Sequence, residues 1–224
     1  MTNPTDSSPA NKTPFTIDVV SDVVCPWCFI GKRKLEAALA MPEAKALGDV
    51  TVRWHPFQLN PDLASEGISR QQYLADKFGG PERAAQIYER VRAAGQAVGL
   101  ALNIDGIQLQ PNTLAAHTLL AFAQQDGQDG GAVKEAILQS YFVENRFIGD
   151  IEVLCDIAQK CGLDVDAARR YITDPVKQHA VAQADMQART QGIQGVPFFI
   201  FNGKTALSGA HDPAVLMQAM QQAL

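Results

Sequence analysis

The period of hydrophobic and polar positions changes along the chain. Phe15-Thr16-Ile17-Asp18-Val19-Val20 alternates and is rich in β-branched residues, which predicts a strand, and Ser21-Asp22 begins the connection that follows. From Phe29 to Leu39 the period becomes helical, with Ile30, Leu35, Ala38 and Leu39 on one face. Pro42 and Gly48-Asp49 interrupt it, and Val50 to Phe57 alternates as a second strand, completing a β-α-β unit. Asn60-Pro61 and Gly67 then break the strand pattern, and Ser69 caps a helix running toward Phe78. Pro81 to Val98 is helical, Leu100 to Leu109 is short and mixed, and Pro111-Asn112-Thr113 starts a helix through Ala123. Ala132 to Phe142, Ile151 to Cys161 and Val165 to Ile172 are further amphipathic helices, so about 110 consecutive residues, room for several average helices, carry only helical signals. Pro175 to Gln191 is a long helix stopped by Gly192, after which alternation returns in Val196 to Phe201. Asn202-Gly203 predicts a type I′ hairpin into Lys204 to Ser208, because that turn needs positive φ at both central residues. Asp212-Pro213 caps a last helix through Ala223. The expected order is β-α-β, a helical block, then α-β-β-α.

With 224 residues the chain can bury an ample core, and the pattern divides it into a discontinuous α/β domain, 15–60 plus 175–224, and an inserted helical domain, 61–174. Residues 1–14 are polar, rich in Pro and Ser and without an apolar segment, and read as a disordered tail rather than a signal peptide. A net charge of −5 with Lys and Arg spread along the chain gives no basic stripe for nucleic acid. Apolar runs such as Val196 to Phe201 are too short to span a membrane, so no membrane partner and a cytoplasmic location are expected.

Four cysteines are too few for a disulfide scaffold, so position decides their use. Cys25-Pro26-Trp27-Cys28 stands where a strand turns into a helix, and Pro26 suits the first helical turn because its missing N–H has no intrahelical partner there. Disulfide exchange needs a stabilised thiolate and a second thiol close enough to resolve the mixed disulfide. Cys25, at the positive end of the helix, fits the nucleophile, and Cys28, one turn further in, fits the resolving thiol. The bland alternative is a buried or zinc-binding pair, but a closed zinc site needs two more ligands and there is no second Cys-X-X-Cys. Cys155 and Cys161 sit on one predicted helix about 120° apart around its axis. They read as core thiols, or as an auxiliary redox pair if the helix ends near Gly162. His55, His117, His179 and His211 are dispersed without metal spacing, so no metal is expected. His55 could lie near the thiols; Asn112 reads as a helix-start residue and His117 as a core residue, with a substrate groove as the sharper alternative. Lys32-Arg33-Lys34 reads as a solvated face.

Taken together, Ser21-Asp22-Val23-Val24-Cys25-Pro26-Trp27-Cys28, Pro56-Phe57 with Leu59-Asn60-Pro61, Asn112-Thr113 with Ala116-His117, Gly149-Asp150, and Gly195-Val196-Pro197-Phe198-Phe199 with Ser208-Gly209-Ala210 resemble the DsbA-like branch of the thioredoxin superfamily. More narrowly, they resemble its FrnE-like subgroup. The resemblance covers nearly the whole chain after residue 14, and His211 stands where the subgroup carries Gln. It implies a thioredoxin-like α/β fold with a central mixed sheet and a large all-α insertion. It also implies a cis Pro197 beside the thiols, with the Val196 backbone free to pair with an extended substrate. Pro26 and Trp27 would tune the redox poise, Trp27 serving also as a substrate surface or as a packed aromatic. Asn112, Gly209, Ala210 and His211 become candidate contacts for substrate or glutathione. The implied function is disulfide exchange with peptides, proteins or glutathione, by a monomer or homodimer with no bound cofactor and glutathione as a candidate co-substrate. Two alternatives stand beside it. One is a glutathione-dependent isomerase or transferase of the 2-hydroxychromene-2-carboxylate isomerase or kappa-class type, whose members carry serine where Cys25 stands. The other is a non-enzymatic holdase.

Overall fold

In the computed structural model, residues 14–125 and 128–224 are described. The expected tail at 1–14 therefore lies almost wholly outside the described residues.

A four-stranded mixed sheet organises the fold. β1 (Phe15–Ser21) lies in its interior, parallel to β2 (Val50–Pro56) on one side and antiparallel to β5 (Phe198–Phe201) on the other. β6 (Thr205–Ser208) pairs with β5 at the edge, giving the order β2-β1-β5-β6. Alternation along β1 separates the faces. Ile17 and Val19 join Phe199 and Phe201 in the core shared with α1 (Pro26–Leu39) and α9 (Pro213–Gln222), whereas Val20 joins Phe57, Ala188 and Ile193 on the side of α8 (Pro175–Thr190). Each fully buried Phe or Ile contributes about 1.5–3 kcal/mol of burial, so shifting β1 by one residue would expose most of this side of the core.

The hairpin turn is as the sequence requires: Asn202 has φ 52° and Gly203 φ 68°. Pro197 lacks an N–H for the ladder, so regular β5 begins only at Phe198, although the Pro197 carbonyl still accepts from the Gly209 amide at 2.8 Å.

Between β2 and α8 the chain forms the helical insertion: α2 (Arg70–Phe78), α3 (Pro81–Gln96), α4 (Leu114–Ala123), α5 (Gly131–Phe142), α6 (Ile151–Lys160) and α7 (Val165–Thr173). Ser69 caps α2 through its side chain, which accepts from the Gln72 amide at 3.1 Å. The insertion is not purely helical, contrary to expectation. β3 (Ile68–Ser69) and β4 (Leu109–Gln110) pair antiparallel, and strands of two residues are too short to show alternation. α4 also begins later than the Pro111 signal suggests. Asn112 Oδ1 accepts from the Leu114 amide at 2.9 Å, holding residues 111–113 outside the helix.

The run Lys32-Arg33-Lys34 is not a solvated face. Lys32 is buried and, with Arg33, donates to Glu36 and to Glu135 of α5, and Lys34 bonds Asp212 at 2.7 Å and the Ala210 carbonyl at 3.1 Å. The run joins α1 to the insertion on one side and to the loop before α9 on the other. The tilted Phe29–Phe142 ring contact, 6.2 Å between centroids, adds to the α1–α5 joint.

Candidate active site

Cys25 is the N-cap of α1, with extended backbone (φ −95°, ψ 114°) and Pro26 at the first helical position. Its carbonyl takes the Cys28 amide at 3.0 Å and the Phe29 amide at 3.3 Å, starting the helix and fixing both cysteines on its first turn. The Cys25 side chain lies at the positive end of the α1 dipole. Its Sγ donates to the Val196 carbonyl at 3.7 Å, across 171 residues of chain, and the Val196–Pro197 bond is cis. Pro197 reaches this place because Gly31 lets it in: a Cβ on Gly31 would stand 2.9 Å from Pro197 Cγ and 3.3 Å from the Phe199 ring.

The two thiols differ. Burial pushes the Cys28 thiol well above the ordinary value, and the hydrogen bond and charge of Cys25 push it further; Lys134 and the Asp22 backbone pull the other way. Cys25 is itself 5% exposed, less open than a simple reactive-thiol picture expects. Trp27, between the two cysteines in sequence, is 39% exposed, so its indole is a surface at the site and not a packed core aromatic.

Asp22, two residues before the Val24–Cys25 step, is fully buried. Its Oδ1 accepts from the Val23 amide at 2.7 Å and His117 Nε2 at 3.1 Å, and its Oδ2 from the Leu59 amide at 2.7 Å. Burial by itself would raise this carboxyl; the His117 hydrogen bond and charge and the Leu59 amide outweigh it, so Asp22 sits below the usual carboxylate range. An ionised Asp22 only accepts, so His117 donates to it through Nε2, while Nδ1 is buried with no hydrogen-bond partner among the described residues. Thus His117 is a core residue, as its position suggests, and it is tied to the segment leading into the cysteines.

The loop after β2 is held by the same neighbourhood. The Gln58 amide donates to Asp185 of α8 at 2.9 Å, Arg189 donates to the Gln58 carbonyl, and its guanidinium lies 4.1 Å from the centroid of the Phe57 ring. Asn112 closes the set. Its Oδ1 takes Gln58 Nε2 at 3.2 Å besides the Leu114 amide, and its Nδ2 donates to the Pro61 and Leu63 carbonyls. Every side-chain donor and acceptor of Asn112 is used within the chain, so its side chain has no hydrogen bond to offer a substrate or glutathione.

On the side of the insertion, Arg70 lies against the Tyr73 and Tyr88 rings, 5.0 and 5.2 Å from their centroids. It donates to Gln110 Oε1 at 2.7 Å and to the Tyr88 hydroxyl at 2.8 Å. Burial raises the Tyr88 phenol, Arg70 pulls it back, and the Cys25 sulfur adds to the rise, so Tyr88 feels Cys25 of the dithiol.

Other sequence candidates lie elsewhere or are internally bound. His55 Nε2 bonds Asp18 at 2.7 Å, beside the Arg53–Asp18 pair, so its hydrogen bond is across β1 and β2 rather than at the thiols. Gly209 (φ 101°), Ala210 and His211 form the loop after β6; Ala210 receives Lys34, and exposed His211 bonds the Ser208 carbonyl at 2.9 Å. Cys155 is buried within α6 and Cys161 is its half-buried C-cap, with Gly162 (φ 76°) ending the helix as expected. All four cysteines are free thiols. Among the described residues no three His, Cys, Asp or Glu side chains form a group that could hold a metal, and no helix is long and apolar enough to cross a membrane.

Sequence reasoning missed Lys134, fully buried in α5, and saw Asp22 only as part of a motif. Lys134 stands at i to Ile137, Leu138 and Tyr141 at i+3, i+4 and i+7, so the period of α5 already puts this lysine on the helix's buried face. For Asp22 a signal existed: a lone carboxylate between apolar runs directly before the cysteines.

A mixed sheet with a helical insertion after its second strand, a dithiol on the first turn of the first helix and a cis X-Pro bond against it define a thioredoxin-fold protein built for disulfide exchange. The chain belongs to the DSBA-like thioredoxin domain family, whose family model matches residues 16–221, and it is a DsbA-like thiol-disulfide oxidoreductase. It is similar to the crystal structure of a probable DsbA oxidoreductase, SCO1869, from Streptomyces coelicolor, with 30% identity, a TM-score of 0.82 and coverage of 93% of this chain and 89% of that one. The uncharacterized protein YwbO of Bacillus subtilis is 29% identical over 205 residues, 91% of this chain and 94% of the relative. The cytosolic disulfide reductase DsbM from Pseudomonas aeruginosa, solved with GSH, shares the fold at 18% identity and a TM-score of 0.59, over 93% of this chain and 95% of that one.

Proposed function

We propose that the protein exchanges disulfides with peptide, protein or glutathione substrates through Cys25 as nucleophile and Cys28 as resolving thiol, and that it falls in the FrnE-like subgroup. One observation carries the reading: Cys25 caps α1 with its sulfur 3.7 Å from the carbonyl of Val196 in the cis Val196–Pro197 pair, while Cys28 lies behind it on the same turn. Cys25 attacks a substrate disulfide, the departing thiolate takes up a proton, and a mixed disulfide to Cys25 forms. Cys28, its thiol raised by burial, stays protonated until that bond is presented to it, so the order of attack is set by depth. The Val196 backbone pairs with the extended substrate, and the exposed Trp27 indole covers an apolar side chain next to the reacting sulfur.

Glutathione is a candidate co-substrate, an assignment supported by the fold shared with DsbM, whose structure contains GSH. No bound cofactor is needed, because the dithiol itself carries the two electrons. The chain works in the cytoplasm, where such a dithiol is kept reduced. Residues 61–174 act as an inserted domain that borders the dithiol. A serine-type isomerase needs only to activate a glutathione thiol; two cysteines on one turn go beyond that requirement.

The experiment is insulin-disulfide reduction with glutathione or dithiothreitol as the electron source. Wild type accelerates precipitation of the insulin B chain and Cys25→Ser does not. Equal rates for the two proteins would refute the reading, and retained suppression of aggregation by Cys25→Ser with Cys28→Ser, without any exchange activity, would favour the holdase instead.

A further inference from the structure

Behind the second strand the helices leave a space. A pocket of about 200 Å³ opens between β2, α4, α7 and α8, where the facing helices carry only the small side chains of Ala121, Ala180 and Ala184 and the Tyr171 ring of α7 is held against Phe122, 5.3 Å between centroids. Buried Leu120 and Val181 and the Trp54 ring make most of the remaining lining apolar. A space of this size suits one ring or a short acyl chain, since an apolar cavity of about 150 Å³ takes up benzene. Neither Cys25, Cys28, Val196 nor Pro197 lines it. Among the lining residues, His117 bonds Asp22, in the segment before the cysteines, at 3.1 Å.

The charge of the pocket is one-sided. No carboxylate lines it, and Lys177, in the first turn of α8, is half-buried over the Tyr171 ring, 5.2 Å from Nζ to the centroid. The nearby carboxylate of Asp174 is occupied as the cap of α8, accepting from the Val176 amide at 2.8 Å, and no ion pair among the described residues includes Lys177. Two further lining residues, His117 and Trp54, each bury a ring nitrogen without a hydrogen-bond partner among the described residues, whereas such groups ordinarily meet protein, water or ligand. The pocket is therefore apolar in its body and cationic where α7 meets α8.

We propose that this pocket binds a small monocarboxylic acid whose body is one ring or a short acyl chain, with its carboxylate on the Lys177 ammonium and its body along Trp54, Leu120 and Val181. Charge and space select the occupant together. A neutral apolar molecule leaves the lysine unpaired, a phosphate or dicarboxylate brings more charge than one ammonium offsets and leaves the alanine-lined walls uncovered, and a drug-sized ligand or a peptide exceeds the volume. Half-burial strengthens the pair relative to one on the open surface, because less water screens it.

Trp54 supplies the readout. In Trp27→Phe it is the only tryptophan left in the chain, so its fluorescence reports occupation of the pocket. Hexanoate and benzoate are the probes, a chain and a ring with one carboxylate each, and hexanol and benzyl alcohol are their uncharged controls. At least one acid changes the Trp54 emission saturably, with a dissociation constant of about 1 mM or tighter, and its alcohol binds about tenfold more weakly or worse. Lys177→Met weakens the acid about tenfold, as expected for loss of one charge-assisted hydrogen bond, and Lys177→Arg keeps most of the affinity. Ala184→Leu, which fills the space and leaves the charge in place, abolishes the emission change; exposed Ala180→Leu gives the same reading should the first leucine variant not fold. Saturation by neither acid overturns the proposal, as does an alcohol that binds as tightly as its acid, or a folded Lys177→Met or leucine variant that binds as the parent does. None of these readings uses the thiols, so they stand or fall apart from disulfide exchange.

Discussion

The chain carries two cysteine pairs, and they occupy opposite ends of their helices. Cys25 caps the start of α1, at the positive end of the helix dipole, and its sulfur meets the Val196 carbonyl. Cys161 caps the end of α6, where carbonyls point outward and a thiolate is opposed, and Cys155 lies inside the helix. Burial raises Cys155, with only Arg169 countering Glu152, Asp156 and Asp150, and burial raises Cys161 against Lys160. Spacing completes the contrast: three residues put two thiols on one turn, whereas six put them about 120° apart. The same residue type is therefore chemically ready at one helix end and quiet at the other, and the difference lies in backbone polarity and in what the rest of the fold brings near.

The strongest way to break this comparison is by serine substitution at both ends. Cys25→Ser abolishes exchange with a peptide disulfide, whereas Cys155→Ser with Cys161→Ser leaves the rate unchanged; a loss in the second variant would make the α6 pair an auxiliary redox site. Next in size is Asp22→Asn. Replacing an ionised acceptor of two amides and His117 costs about 2–3 kcal/mol in denaturant unfolding at neutral pH, since hydrogen bonds to a charged group are at the strong end. The native Asp22 value is depressed, so its stabilisation is present above the unfolded carboxylate value of about 3.9 and is lost as pH falls through the native value. The stability gap between wild type and Asp22→Asn closes accordingly in acid, which urea unfolding at a series of pH values measures.

Gly31→Ala sharpens the comparison at the α1 end alone. The new methyl meets a ring that cannot swing away, and overpacking of this kind costs about 1–3 kcal/mol, read as a lowered midpoint of thermal unfolding together with slowed exchange. The smallest effect concerns the quiet pair. With Cys25 and Cys28 both changed to Ser, iodoacetamide labels half-buried Cys161 before buried Cys155, and both stay slow until the pH passes the ordinary thiol value, because both are raised. Fast labelling of Cys155 near neutral pH would contradict its environment.

Much of the fold is legible without coordinates. The alternation of Phe15 to Val20 and Val50 to Phe57, the Asn202-Gly203 turn, the Ser69 cap and the Gly162 stop are local rules, and each matches the observed element. Less legible are features whose cause lies in another element. Lys32-Arg33-Lys34 reads as a solvated run because nothing near it announces Glu135 or Asp212. Asn112 looks free for a ligand until the loop after β2 and the Leu114 amide take its side-chain hydrogen bonds.

By itself the sequence determined the strand and helix order and the placing of two cysteines on one helical turn at its positive end, because backbone hydrogen bonding and helical period act over a few residues. Only the tertiary structure decided that Val196 would stand against Cys25, that Trp27 would be left in the open, and that Asp22 would be fully buried with His117 and the Leu59 amide as its partners. Those outcomes depend on which faces of distant elements pack together, and burial there changes the electrostatics of groups in ways that their local sequence does not fix.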